Sequence, residues 1–207
     1  MRRSEKMIDL LEVPDFLGAE ACAALRAEMR AAGGRPATVS GGNYTPEVRR
    51  TTHAAVPSAT SEGVIRLLMA RKDAIERHFG LRLTDCEDPH FLHYHAGDFF
   101  VAHEDGSTGG ATRYRKISAV IFLSAQSDEP LPDTYGGGSL VLHGPASGPP
   151  LRVPLAPAPG TLVAFRAETT HEVTPVTHGE RFTIVSWYRA GNGTGGHSRR
   201  RGRLRPP

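Results

Sequence analysis

The sequence predicts a mainly β fold of the α+β class, a double-stranded β-helix (jelly roll) with N-terminal helices packed on one sheet. Two observations carry this expectation. Helical patterning is confined to the first 80 residues, and from Pro89 onward eight short apolar segments follow one another between turn residues. A content of 23 Gly and 16 Pro points the same way, because a chain rich in turns favours short strands over a helical bundle. At 207 residues there is room for one domain with a sizeable core and not for two of full size.

Residues 14–32 (PDFLGAEACAALRAEMRAA) read as the first helix, dominated by Ala, Glu, Leu, Arg and Met and stopped by Gly33 and Gly34. A second helix is expected over Ser61–Phe79, where Val64, Leu68, Ile75 and Phe79 form one stripe and Gly80 is the stop. Residues 35–57 between them read as mixed strand and loop. The eight strands are expected at 90–95, 98–103, 116–124, 139–144, 151–155, 160–165, 170–176 and 180–189. The connections 104–115 and 125–138 exceed hairpin length, and with 35–57 they are the segments expected to select a substrate.

Charge is unevenly spread. The formal net charge is +3, but residues 197–207 hold five arginines and no acid, which leaves 20 basic against 22 acidic residues elsewhere. A domain is therefore expected over 1–190, followed by a disordered basic tail over 191–207. The near-neutral body speaks against a nucleic-acid groove; the tail reads either as an electrostatic arm or as a solvated end. No apolar run reaches the roughly 18 residues of a membrane span, and the N-terminus lacks an apolar signal segment. Cys22 and Cys86 offer no disulfide framework and read as small hydrophobes, so a reducing cytoplasmic setting is expected. Nothing in the pattern sets an oligomeric state.

His103-Glu104-Asp105 closes an expected strand. Residues two apart in extended chain share a face, so His103 and Asp105 can address one ion while Glu104 points away. A lone H-x-D is weak in a chain with ten His and 22 acidic residues. It gains weight from His171, 66 residues beyond Asp105, which supplies a second imidazole. Two imidazoles and one carboxylate suit Fe(II) and leave coordination positions open. On the last strand Arg181 and Thr183 alternate onto one face, where a guanidinium fork and a hydroxyl make a receptor for a carboxylate.

The stretch Tyr94-His95-Ala96-Gly97-Asp98-Phe99-Phe100-Val101-Ala102-His103-Glu104-Asp105 resembles the signature of the prolyl 4-hydroxylase-like branch of the iron(II)/2-oxoglutarate dioxygenases, in which a Tyr, a Gly and an aromatic precede H-x-D at three-residue steps. The similarity continues through Gly137-Gly138-Ser139-Leu140, Pro159-Gly160-Thr161-Leu162, His171-Glu172-Val173-Thr174-Pro175-Val176, Gly179-Glu180-Arg181 and Trp187. With the opening Val13-Pro14-Asp15-Phe16-Leu17 it spans about residues 13–189.

The resemblance implies a hydroxylase that uses Fe(II), 2-oxoglutarate and O₂, supported by ascorbate, and releases succinate and CO₂. It implies iron on His103, Asp105 and His171. Arg181 would meet the distal carboxylate of 2-oxoglutarate, with Thr183 and Tyr94 as further hydrogen-bond partners. The substrate expected is an amino-acid residue of a peptide or protein, a free amino acid or a small metabolite. Collagen-type members carry Lys where this chain has Arg181, so prolyl specificity is not implied. Asp105 stands where halogenating relatives carry a small residue, which argues against halogenation.

Two other classes stay open at this point. A cupin-like metal protein with non-oxidative chemistry would need no carboxylate receptor, and a non-catalytic module would need no intact metal set. His93 and His95 form an H-x-H pair without a third ligand in the pattern and are assigned surface or supporting roles. His143 reads as a strand-end residue, and Trp187 as either a pocket wall or a core aromatic. Arg113, Tyr114 and Arg115 read as a grip for an anion or as a solvated loop face.

Overall fold

The computed structural model describes residues 8–39, 43–106 and 109–191; the basic tail expected over 191–207 lies, from residue 192 on, outside them. In chain order the described elements are β1 (Leu10–Val13), α1 (Ala19–Ala32), β2 (Gly34–Pro36), β3 (Arg49–Arg50), β4 (Thr52–Ala54), α2 (Ser58–Phe79), β5 (His90–Tyr94) and β6 (Phe99–His103). After a 3₁₀ turn at Ala111–Tyr114 come β7 (Arg115–Phe122), β8 (Ala125–Gln126), β9 (Thr134–Gly137), β10 (Leu140–His143) and β11 (Arg152–Leu155). The chain closes with β12 (Leu162–Arg166), β13 (His171–Val173), β14 (Val176–Gly179) and β15 (Arg181–Arg189). A major sheet runs β1-β12-β7-β15-β5-β4-β2 and faces a smaller one, β11-β10-β13-β6-β3; β14-β9-β8 form a third.

Alternation along the central strands of the major sheet builds two layers at once. Ile117, Ala119 and Ile121 of β7 and Phe182, Ile184 and Tyr188 of β15 turn to the helices, meeting Cys22, Met29, Val64, Leu68, Ile75 and Phe79. The Tyr188 hydroxyl, carried into this layer, donates to the Leu68 carbonyl at 2.6 Å. Val120, Phe122, Val163 and Phe165 point the other way and pack on Leu140 and Leu142 of the smaller sheet. The double-stranded β-helix with helices on one sheet is the arrangement the sequence predicts. No helix among the described residues is long and apolar enough to cross a membrane.

Several boundaries differ from expectation, each for a local reason. α1 begins at Ala19 rather than residue 14, because Asp15 adopts a left-handed φ of 52° and the Leu17 N–H is taken by the Gly160 carbonyl at 3.0 Å. α2 begins at Ser58, with Pro57 as its flanking residue, a place where a missing N–H costs nothing. The expected strand 170–176 is divided into β13 and β14 around Pro175, whose ring removes a ladder donor. The segment 125–138, expected as a specificity loop, contributes β8 and β9 and packs with β14 instead. Cys22 is buried as expected, but Cys86 is only half-buried, held in a bridge to Tyr188 at the end of β15.

Candidate active site

β6 and β13 run antiparallel with His103 directly opposite His171. The His103 Nδ1–H donates to the Val101 carbonyl and the His171 Nδ1–H to the Thr169 carbonyl, both at 2.8 Å. A carbonyl can only accept, so each ring carries its proton on Nδ1 and presents the Nε2 lone pair to a common point. Asp105 arrives from beyond the end of β6. Its backbone N–H and that of Gly106 both donate to the Ala167 carbonyl, at 3.0 and 2.8 Å, so a turn pinned to a distant segment places it rather than the strand alternation expected from sequence. Its carboxylate oxygens then lie 3.7 Å from His103 Nε2 and 3.4 Å from His171 Nε2. One donor atom from each of the three residues falls within 4.8 Å of the others.

Burial pushes the Asp105 carboxyl up, but His171, His103 and the Ser118 hydroxyl, which donates to Oδ2 at 2.6 Å, outweigh it and hold the group below the usual carboxylate value. The Trp187 indole N–H closes no hydrogen bond of normal geometry, yet lies near enough to act in the same direction. Burial and the neighbouring His171 push the His103 imidazole down to about 4. An ionised carboxylate beside a neutral imidazole is the donor chemistry that a divalent first-row metal takes. Ser118 escaped the sequence reading; its one signal is a hydroxyl inside the apolar run 117–123. In the β7–β15 register it sits directly opposite Trp187, so the two reach Asp105 from paired positions.

On β15 the residues Arg181, Thr183, Val185 and Trp187 all face a cavity of about 620 Å³, which His103, Asp105 and His171 also line. Arg181 is only 1% exposed. Its Nη1 donates to Thr183 Oγ1 at 3.2 Å, its Nε has no partner, and it makes no ion pair among the described residues. The guanidinium lies 4.9 Å from the ring centre of Tyr94, its cross-strand neighbour on β5, with Phe122 and Tyr135 slightly farther away. A buried guanidinium without an ion pair among the described residues is chemistry suited to a carboxylate, and it opens onto the same space as the two imidazoles. Gly138 permits its placement: a Cβ there would come within 3.0 Å of Arg181 Cδ.

Tyr94, Arg181 and Thr183 are thus brought together as expected, and Trp187 is both a cavity wall and a packed aromatic. His143 ends β10 and pairs with Glu172 at 3.2 Å. The expectation for His93 and His95 needs correction: Glu180 joins them, with ligand atoms of all three mutually within 4.8 Å. The Glu180 carboxylate is already shared between His93 Nε2 at 2.7 Å and Arg30 Nε at 2.9 Å, so a cation there would meet a guanidinium. The group braces α1 against β15. Of the three segments expected to select a substrate, 35–57 and 104–115 line the cavity and 125–138 does not.

Comparison with known proteins agrees with this geometry. A family model of the 2OG-Fe(II) oxygenase superfamily matches residues 89–189. A PKHD-type hydroxylase from Shewanella sp. (strain MR-7) is 30% identical over 187 residues, covering 86% of this chain and 77% of the relative. A PKHD-type hydroxylase from Paracoccus denitrificans (strain Pd 1222) is 29% identical over 185 residues with the same coverage. Among solved structures, a Pseudomonas putida prolyl-4-hydroxylase superposes with a TM-score of 0.69 at 25% identity, covering 88% of this chain and 94% of that one. A Trichoplax adhaerens prolyl hydroxylase shares the fold at a TM-score of 0.66 and 15% identity, with 87% and 83% covered. The chain belongs to the 2OG-Fe(II) oxygenase superfamily, in its prolyl 4-hydroxylase-like branch, and is a 2-oxoglutarate-dependent dioxygenase whose family implies Fe(II), 2-oxoglutarate and O₂.

Proposed function

We propose that this chain hydroxylates an unactivated C–H bond of an amino-acid residue, a free amino acid or a small metabolite, with iron on His103, Asp105 and His171 and with Arg181, Thr183 and Tyr94 receiving 2-oxoglutarate. The observation that carries the reading is the buried guanidinium of Arg181, without an ion pair among the described residues, in one cavity with the two imidazoles and the carboxylate. Fe(II) held by His103, Asp105 and His171 would supply the activation of O₂ coupled to oxidative decarboxylation of 2-oxoglutarate, with succinate and CO₂ as the co-products.

The protein contributes placement. The carbonyls of Val101 and Thr169 hold both rings with Nε2 toward the metal, and Ser118 fixes the Asp105 carboxylate. Arg181 orients the co-substrate by a two-pronged contact with its far carboxylate, and Thr183 steadies the guanidinium from β15. Leu92, Val120, Leu140 and Val173 give the cavity apolar walls that keep bulk water from the reacting centre. Ascorbate is expected to sustain turnover by keeping iron ferrous.

The test is an anaerobic titration of 2-oxoglutarate into Fe(II)-loaded protein, followed by the metal-to-ligand absorbance band, and then succinate formation against panels of amino acids, peptides and metabolites. Saturable binding lost in His171→Ala and weakened in Arg181→Ala is the expected result. Wild-type protein that binds Fe(II) but not 2-oxoglutarate would remove this reading.

A further inference from the structure

The cavity holds a second buried guanidinium, to which the metal and 2-oxoglutarate assign no role. Arg49 of β3 stands opposite Phe100 of β6 and is only 8% exposed. Its guanidinium lies 4.6 Å over the Phe100 ring, and Phe100 in turn stacks on His103 with ring centres 3.6 Å apart. The Arg49 side chain therefore reaches the reacting centre through one intervening ring. Nη1 donates to the Thr38 carbonyl at 3.2 Å, Nε is buried without a partner, and Arg49 makes no ion pair among the described residues. Arg115 lines the same cavity but is spoken for, with Nε and Nη2 on the two oxygens of Glu87 at 2.9 and 2.7 Å.

Charge balance gives the partner that Arg49 would take a sign and a size. In the loaded site of the proposed function, a divalent metal, Asp105, doubly negative 2-oxoglutarate and Arg181 compensate one another. Of the other charges lining the cavity, Arg115 is paired with Glu87, and Glu104 is exposed and accepts from the Thr170 hydroxyl at 3.3 Å; Arg49 is left as a buried positive charge without an ion pair among the described residues, a costly arrangement unless an anion arrives. The neighbouring histidines cannot supply it. Burial pushes His53 and His90 toward their neutral forms, and Arg49 is a further cause for both.

We infer that Arg49 is the receptor for a carboxylate on the substrate, so that the enzyme takes a small carboxylic acid seated beside His103. The inference rests on the proposed function, since it presumes metal and 2-oxoglutarate in the same cavity. One guanidinium fork matches a singly charged carboxylate; a doubly charged phosphate would need a second cation, and Arg115 is already paired. A cavity of about 620 Å³ that also admits 2-oxoglutarate leaves space for a small acid, and Val39, Leu92 and Phe100 suit an aliphatic remainder.

Protein loaded with Mn(II) and 2-oxoglutarate, which binds without turnover, is titrated calorimetrically with matched pairs: amino acids and N-acetyl amino acids as free acids, each against its own carboxamide. End-blocked peptides carrying Asp or Glu form a third arm. The expected result is an acid that binds at least about 30-fold more tightly than its amide, a preference that Arg49→Gln abolishes. Arg49→Lys keeps part of it, and both variants hold 2-oxoglutarate within about twofold of wild type, because the groups proposed to receive the co-substrate, Arg181, Thr183 and Tyr94, lie on other strands. A carboxylate preference seen only with the blocked peptides supports the receptor and moves its source to an acidic side chain. The inference is overturned if wild type prefers no acid over its amide, or if the preference survives in Arg49→Gln. It is equally overturned if Arg49→Gln weakens 2-oxoglutarate as much as replacing Arg181 does. Loss of 2-oxoglutarate binding by wild type itself instead strikes the proposed function and takes this inference with it.

Discussion

Arg181→Met separates the cost of a buried charge from its use. In the ligand-free protein the guanidinium is 1% exposed and pairs with no carboxylate among the described residues, which costs several kcal/mol of lost hydration. The rings of Tyr94, Phe122 and Tyr135, at 4.9, 5.4 and 5.9 Å, return about 0.5–2 kcal/mol each, and the Thr183 contact returns about 1 kcal/mol. None of these partners carries the negative charge that a guanidinium pairs with best, so the charge stays under-compensated, and Met has the length to fill the space without it. Ligand-free Arg181→Met should therefore melt above wild type. With a divalent metal bound, 2-oxoglutarate at a hundred times its Kd should stabilise wild type by about 2.7 kcal/mol, or roughly 5–11 °C. The variant should show little of that shift at the same concentration, because losing a charge-assisted two-pronged contact costs about 2–4 kcal/mol, or roughly 30- to 1000-fold in affinity. Scanning calorimetry with Mn(II), with and without 2-oxoglutarate, reads both signs. A variant less stable than wild type without ligand would refute the argument from a stored charge, and an undiminished ligand shift would refute the receptor.

Ser118→Ala removes the hydroxyl that holds Asp105 Oδ2 and should weaken Fe(II) or Mn(II) by about 10- to 100-fold in a competition titration while the fold persists. Gly138→Ala should be more damaging than its size suggests. The position has φ 57°, and the added Cβ would lie 2.9 Å from Val176 Cγ2 and 3.0 Å from Arg181 Cδ, so a loss of about 1–3 kcal/mol in urea unfolding should accompany weaker 2-oxoglutarate binding. The Glu76 carboxylate accepts from the Leu83 N–H at 2.7 Å and the Lys72 ammonium at 2.9 Å, which hold it below its ordinary 4.5. A carboxyl depressed in the folded state stabilises above its unfolded value and ceases to do so as pH falls through the folded one. Urea midpoints measured downward from about pH 6 should accordingly fall below about pH 4.5 in wild type and fall less in Glu76→Gln.

What was legible in the sequence was local periodicity and residue chemistry. Arg181, Thr183 and Trp187 share a face because β15 is a regular strand, and alternation counted along the chain is enough to say so. His103 and His171 were recognisable as donor chemistry, although their exact pairing across β6 and β13 is a register that no local pattern encodes. Asp105 was placed beside His103 by strand alternation, whereas its position depends on the Ala167 carbonyl, contributed from just beyond the end of β12. The same distance hid Glu180 from His93 and His95, and Glu87 from Arg115. Segment 125–138 looked like a loop because its strands are two and four residues long, too short to show a period. Arg49 carried no signal at all: one arginine of a pair in a Gly- and Thr-rich stretch becomes notable only when the sheet closes over it.

The two carbonyls that aim the imidazoles have a consequence for how such a chain diverges. Both belong to the main chain, at Val101 and Thr169, so no exchange of side chain at either position deletes them. The orientation of the rings is thereby insulated from drift in the surrounding sequence. Descendants of this chain can rewrite the cavity at Thr38, Arg49 or His90 in adopting new substrates, while the rings stay trained on the same point in space.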